Sequence, residues 1–325
     1  MAEKKHIPFT MLQILQEESD ENHILTANDL IERIDRRLGT SIERRTVYSN
    51  IQILRQAGYE ISDVSDNGKG YYLMSRKFEK GEILMLCNAI HASHIINQKQ
   101  SEELIGKLLM ELPKQQREEF RSSVYLPNRL KSENKTLLYN IEVISEAIRD
   151  KKKLSFSYLR YDPELKKEAC RKEPYIIEPR YIVWQDSRPY LIASNPKYAN
   201  LTHFRIDKIK NPSVLNEPVR RLSRTENTEA YRYAENKLFM FAGDTVSVVF
   251  RCADRILPQL RDILGPGMNV QASNDDTSLV RCTTTEAGAI FLAQQFLDVI
   301  EIISPESLRE RFRTVLKEAE DKYSD

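Results

Sequence analysis

The chain has 325 residues and a formal net charge of +1, with 41% hydrophobic and 30% charged residues, which excludes a disordered or fibrous protein and makes two or three domains the expectation. Near-neutral charge also excludes any argument from global basicity, so a nucleic-acid signal has to be local. No stretch approaches the roughly 18 consecutive apolar residues that span a bilayer, and the start MAEKKHIPFT has no apolar signal core, so the reading is a cytoplasmic protein with no membrane partner.

After Pro8, the residues Phe9, Leu12 and Leu15 recur at helical spacing until the polar run Glu17 to Asn22 ends a first helix. Thr26 with Asp29 reads as a capping pair for a second helix, whose stripe Ala27, Leu30, Ile31, Ile34 and Leu38 closes at Gly39. Thr40-Ser41-Ile42-Glu43 reads as a capping box opening a third helix, which is helix-turn-helix spacing. On that helix Val47, Ile51 and Leu54 stack on one face, and 100° per residue puts Arg45, Ser49 and Gln52 on the other, flanked by Arg44, Tyr48 and Arg55. Residues 32–55 hold six arginines against three acids, a local excess of +3. Such a face suits phosphates and guanine edges, although for the arginines alone a solvated helix face is the commoner explanation. Tyr59-Glu60-Ile61 and Tyr71-Tyr72-Leu73 flank a turn-rich stretch and predict a two-stranded hairpin, completing the order helix, turn, helix, wing.

Helical spacing continues through Ile83, Leu84, Cys87 and Ile90, through Leu104 to Leu109, and through Leu137 to Ile148. His91 and His94 are three apart, but no nearby Cys or acid completes a metal set, so a structural role is expected. Cys87, Cys170, Cys252 and Cys282 lie too far apart along the chain for a zinc or redox motif and read as buried reduced thiols. No metal or cofactor is expected. From Leu154 the period becomes 2, and strands are predicted at 154–159, 174–184, 188–194 and 201–209, with turns at Gln185-Asp186-Ser187 and Asn195-Pro196-Lys197. These short strands suit a small bent barrel. Beyond residue 235 the pattern reads βαββαβ plus one helix, a ferredoxin-like order, with Gly265-Pro266-Gly267 a turn rather than a phosphate loop.

The string ERRTVYSNIQILRQAGYEI followed by GKGYYL resembles the winged-helix head of regulators in which a sensory WYL domain follows. The resemblance continues in LSFSYLRYD, EPRYIVWQDSRPYLIAS and HFRIDKI, and VIEIISPESLRERF resembles the WCX extension of that family. It implies an α+β multidomain chain: a DNA-binding head at 1–75, a helical connector at 76–151, an SH3-like or Sm-like barrel at 152–232, and a dimerising C-terminal extension at 233–325. The recognition helix would then enter the major groove, making Arg44, Arg45, Thr46, Tyr48, Ser49, Gln52 and the wing residue Lys69 the candidate DNA contacts. The family often carries Arg-Asp where this chain has Ser49-Asn50, so base contacts do not transfer.

The name-giving tripeptide falls on Pro189-Tyr190-Leu191, without its Trp. The resemblance implies a nucleotide or single-stranded nucleic-acid effector, and Ser157, Tyr158, Arg180, Tyr190, His203 and Arg205 are the candidates to bind it. Arginine grips phosphate through two parallel bonds, and Tyr158 or Tyr190 offers a ring for a base to stack on. A core aromatic at Tyr158 and an Arg205–Asp207 salt bridge remain open alternatives. Arg309, Arg311 and Arg313 read as a solvated helix face ahead of a basic rim.

Three functions compete: an effector-controlled regulator of bacterial type binding operator DNA, an RNA or single-strand binder built on the barrel, and an enzyme with a DNA-binding accessory head. No GxSxG, HExxH or GxxxxGK[ST] pattern occurs, which disfavours the enzyme. A winged head has no purpose in a pure single-strand binder. One head of modest charge binds weakly, so a homodimer reading an inverted repeat is expected.

Overall fold

The computed structural model describes residues 6–123, 135–195, 198–274 and 276–324. Its contacts separate residues Met1–Lys135 from Thr136–Asp325.

In the first unit, α1 (Ile7–Glu18), α2 (Ala27–Leu38) and α3 (Arg44–Gln56) bury one shared core of Met11, Ile14, Leu15, Leu30, Ile34, Val47 and Ile51. The capping box at Thr26 and Asp29 forms, and Gly39 ends α2 in the left-handed conformation, its N–H reaching Asp35 O at 2.7 Å. The second expected box does not form. Helix α3 starts at Arg44 with Glu43 as an N-cap that makes no side-chain bond, because residues 40–43 run as non-helical connection. The wing is also smaller than predicted. Single bridges Ile61↔Leu73 and Leu25↔Tyr71 replace two full strands, and one helical turn, α4 (Val64–Asn67), fills the turn-rich stretch behind an Asp63–Asp66 capping box. A Cβ on Gly70 would overlap the Leu25 carbonyl, so only glycine lets the wing lie this close to the chain before α2.

Helices α5 (Lys80–Ala92), α6 (Gln98–Leu109) and α7 (Lys114–Ser123) complete the unit, and Ile83, Cys87, Leu109, Leu112 and Phe120 form a second small core among them. The next helix, α8 (Leu137–Arg149), belongs to the second unit rather than to the connector: buried Leu137, Ile144 and Ala147 pack on the sheet that follows. Asn140 Nδ2 donates to the carbonyls of Ile206 (3.3 Å) and Ile209 (2.8 Å), tying α8 to the turn that precedes the last strand of that sheet.

Strands β1 (Lys152–Tyr161), β2 (Lys167–Ala169), β3 (Tyr175–Gln185), β4 (Arg188–Asn195), β5 (Tyr198–Arg205) and β6 (Ile209–Pro218) form one antiparallel sheet in the order β2-β1-β3-β4-β5, with β6 paired to β1. Among the described residues β5 and β6 do not pair, so the expected closed barrel is an open, bent sheet. The β3–β4 turn is as predicted: Asp186 and Ser187 both have positive φ (49° and 59°), the two-residue hairpin geometry whose twist matches the strands. In the other predicted turn, residues 196 and 197 lie outside the described residues. Alternation gives the sheet two faces. Phe156, Leu191 and Phe204 are buried on one, and Tyr181, Val183, Tyr190, Ile192 and His203 lie on the other, where Tyr190 and Ile192 are also buried.

Helix α9 (Arg224–Arg232) leads into the last part of the chain, where β7 (Thr245–Ala253), α10 (Leu257–Leu264), β8 (Asn269–Asn274), β9 (Thr277–Thr285), α11 (Glu286–Gln295), β10 (Ile300–Ser304) and α12 (Glu306–Asp321) follow one another. The sheet order is β10-β7-β9-β8, all antiparallel, the split-βαβ arrangement expected of that element order. Val248, Phe250, Val280, Leu292, Leu308 and Phe312 fill the core between sheet and helices. Arg309 pairs with Glu301, Arg311 with Glu286 and Arg313 with Glu310, so these arginines make no basic rim.

Candidate functional site

Helix α3 buries Val47, Asn50, Ile51 and Leu54 and turns Arg44, Arg45, Tyr48, Ser49 and Gln52 to solvent. Thr46 is half-buried, and its carbonyl accepts from Asn50 Nδ2 (2.7 Å) and Ser49 Oγ (3.2 Å). Arg44 Nε donates to Asn28 Oδ1 at 3.1 Å, which steadies the side chain without neutralising it. Arg45 has no side-chain partner among the described residues and is exposed.

The other arginines of the segment are engaged elsewhere: Arg33 and Arg37 with Glu17, Glu18 and Asp29, and Arg36 with Glu32. Arg55 folds back onto the Ile61 and Ser62 carbonyls and Asp63. Of the six arginines only Arg44 and Arg45 are left without an acid or carbonyl partner among the described residues, both on the outward face. Lys69 stands exposed on the wing, where the Asn67 amide bonds the backbone N–H of Lys69 and Gly70 (both 2.8 Å) and holds the loop.

The effector candidates do not form one pocket. Tyr190 and Arg205 are cross-strand partners on β4 and β5, and the Tyr190 ring meets His203 edge-on at 5.9 Å. Arg205 is held by a two-pronged bond to Asp207 (3.1 and 2.7 Å), which also raises the guanidinium pKa. This is the salt-bridge alternative the sequence left open. Tyr158 likewise takes its structural role, ringed by Phe156, Tyr175 and Phe204. Its hydroxyl accepts the Arg205 backbone N–H at 3.1 Å, and burial pushes its pKa up to about 12, so it stays neutral. Ser157 lies opposite Lys210 of β6, on the strand face away from Tyr158.

The segment after α9 covers the strip between them. Tyr233 bonds His203 Nδ1 through its hydroxyl (3.0 Å), Lys237 lies 4.5 Å over the Tyr233 ring, and Met240 packs against Tyr190 and Ile192. Burial first, then the Lys237 charge, lowers the His203 pKa. Phe239 and Met240 both have φ of 56°, a strained conformation for bulky side chains. Beside this strap a cavity of about 800 Å3 is lined by Thr202, Tyr233, Lys237 and Asp244. The sequence reading missed the strap, because residues 233–241 carry no motif and only the fold lays them over β4 and β5.

Arg180 lies apart from this group. It donates to Ser194 Oγ at 2.9 Å, four positions along β4 from Tyr190, which is about 13 Å of strand. A bulge at Pro179–Tyr181 re-aims the side chain, which pairs with Glu178 at 2.6 Å. Both members are buried, at 8% and 5% exposure. Among the described residues no group of three or more His, Cys, Asp or Glu is placed to hold a metal, and no helix is long and apolar enough to cross a membrane.

Residues 139–214 match the family model of the WYL domain, and the chain carries that domain there. No curated protein matches the chain in sequence. Among solved structures it is similar to proteasome accessory factor B/C (PafBC) of Arthrobacter aurescens, at 16% identity and a TM-score of 0.28, over 99% of this chain and 49% of that one. The chain thus spans about half the length of that protein. It is also similar to a CRISPR Cas-related protein, at 15% identity and a TM-score of 0.38, over 98% of this chain and 85% of the other.

Proposed function

We propose that the protein is a DNA-binding transcription regulator, not an enzyme, whose operator affinity is set by an effector bound at the WYL domain. One observation carries the reading. The apolar stripe of α3 is buried while Arg45, Tyr48, Ser49 and Gln52 stand together on its exposed face, with Arg45 unpaired. Guanidinium, hydroxyl and carboxamide groups on one helix face are the donors and acceptors that read major-groove edges and phosphates. Lys69 on the wing adds a backbone contact. A homodimer reading two half-sites would supply the affinity that one head with two available arginines lacks.

The sensor reading rests on the WYL match and on the Tyr190, His203 and Arg205 strip. Arg205 and an aromatic ring suit a nucleotide or a short single strand, and both the Asp207 pair and the Tyr233 strap have to yield before such a ligand reaches them. Selection of a bound duplex from a random double-stranded pool, followed by titration at fixed salt, tests the first half. Arg45→Ala is expected to weaken binding to the selected duplex, and unchanged affinity would remove α3 from the interface.

A further inference from the structure

Beyond the strip just described, the sheet unit contains a second basic cavity, of about 850 Å3, between the end of α8, β3 and the chain that follows β6. Lys151, Arg180, Arg220 and Arg221 line it, with Tyr181 and Pro218 among its less polar walls. Its frame is rigid. Val219 N donates to Lys151 O (3.0 Å) and Arg220 N to Glu178 Oε1 (3.0 Å), while Arg180 Nη1 donates to Arg220 O (2.9 Å). Glu178 and Arg180 thus grip the Arg220 peptide from both sides, and the buried ion pair serves to fix the cationic edge of the cavity.

The nearby acids are already engaged. Asp150 pairs with Arg149, Glu178 accepts from Arg180, Ser194 and the Arg220 N–H, and Glu226 pairs with Arg220 while capping α9. Lys151 and Arg221 are exposed and have no side-chain partner among the described residues. Lys151 sits in the left-handed region (φ 52°), where a lysine gains nothing locally, so its place at the rim is set by the turn and not by side-chain bonding.

We propose that this cavity is a binding site for a phosphate-bearing small molecule, separate from the Tyr190–His203–Arg205 strip. Two uncompensated cations beside two fixed guanidinium groups match the charge and geometry of a phosphate or pyrophosphate. The volume lies within the roughly 300–1,000 Å3 range of small-molecule pockets, and Tyr181 and Pro218 give an organic body something to lie against.

The test uses the full chain at low salt, by calorimetry and thermal shift, with inorganic pyrophosphate, adenosine diphosphate and adenosine as probes. Pyrophosphate and the diphosphate are expected to bind and adenosine not to. The double variant Lys151→Gln/Arg221→Gln is expected to lose at least roughly tenfold in affinity, the scale of one lost charge-assisted bond. Its melting point should match the parent, since both side chains are exposed and unpartnered. Arg205→Ala should bind as the parent does. Diphosphate binding tighter than pyrophosphate marks a seated nucleoside, and equal binding marks recognition of the phosphates alone; either supports the site. No binding of either anion, or equal affinity in the double variant, overturns it, and neither result bears on operator recognition.

Discussion

Arginine does opposite things on the exposed face of α3 and at two positions of the six-stranded sheet. On α3, Arg45 is exposed and unpaired and Arg44 touches only an uncharged amide. In the six-stranded sheet, Arg205 and Arg180 are each clasped by a carboxylate two residues away. An unpaired guanidinium meets an anion with no protein carboxylate to displace. A paired one has to exchange a carboxylate for the incoming anion, so binding there is a competition, and whatever holds the carboxylate in place sets the threshold. Helix α3 thus presents two guanidinium groups ready for contact, whereas Arg205 and Arg180 are held in reserve.

The largest test of this contrast is the buried Arg180–Glu178 pair. Glu178→Ala leaves a buried cation unpaired and frees the Arg220 peptide, and chemical denaturation should show a loss of about 3–5 kcal/mol. Arg45→Ala, by contrast, should leave the melting point unchanged while costing about 1–3 kcal/mol in duplex affinity, measured by fluorescence anisotropy at fixed salt. A stability loss on that variant would mean that the two regions are not so different. Asp207→Asn releases Arg205 from its competitor and should tighten the binding of a short single strand or nucleotide by roughly tenfold.

A smaller effect concerns His203, whose pKa burial holds below the ordinary value. A histidine harder to protonate when folded adds stability that is complete above the unfolded value of about 6.5 and fades as pH falls below it. Melts between pH 7.5 and 5 should show this loss, at no more than about 1.4 kcal/mol per pH unit, and His203→Gln should flatten it. Smallest of all, Arg313→Ala removes an exposed pair with Glu310 and should change stability by less than about 1 kcal/mol.

The helices of the head, the α3 faces, the β3–β4 turn and the βαββαβ order were legible because each is a local pattern: a period, a cap or a turn residue within a few positions. The Thr40 box failed because residues 40–43 stay non-helical, and the wing strands shrank because Asp63 caps a helical turn that composition had marked only as irregular. The open sheet was not legible, since β2 and β6 were not among the predicted strands and closure depends on a pairing between β5 and β6 that alternation says nothing about.

Sequence alone determined which side chains face out along α3 and along β4 and β5, because side-chain direction follows from backbone period, although Phe9, read into the stripe of α1, is 70% exposed. Only the tertiary structure decided which of those side chains are free. Glu18 reaches Arg33, Arg220 lies over Glu178 and Tyr233 covers His203 across 15 to 42 positions of sequence. Charge pairing and occlusion depend on distance in space, and a linear pattern does not carry that distance.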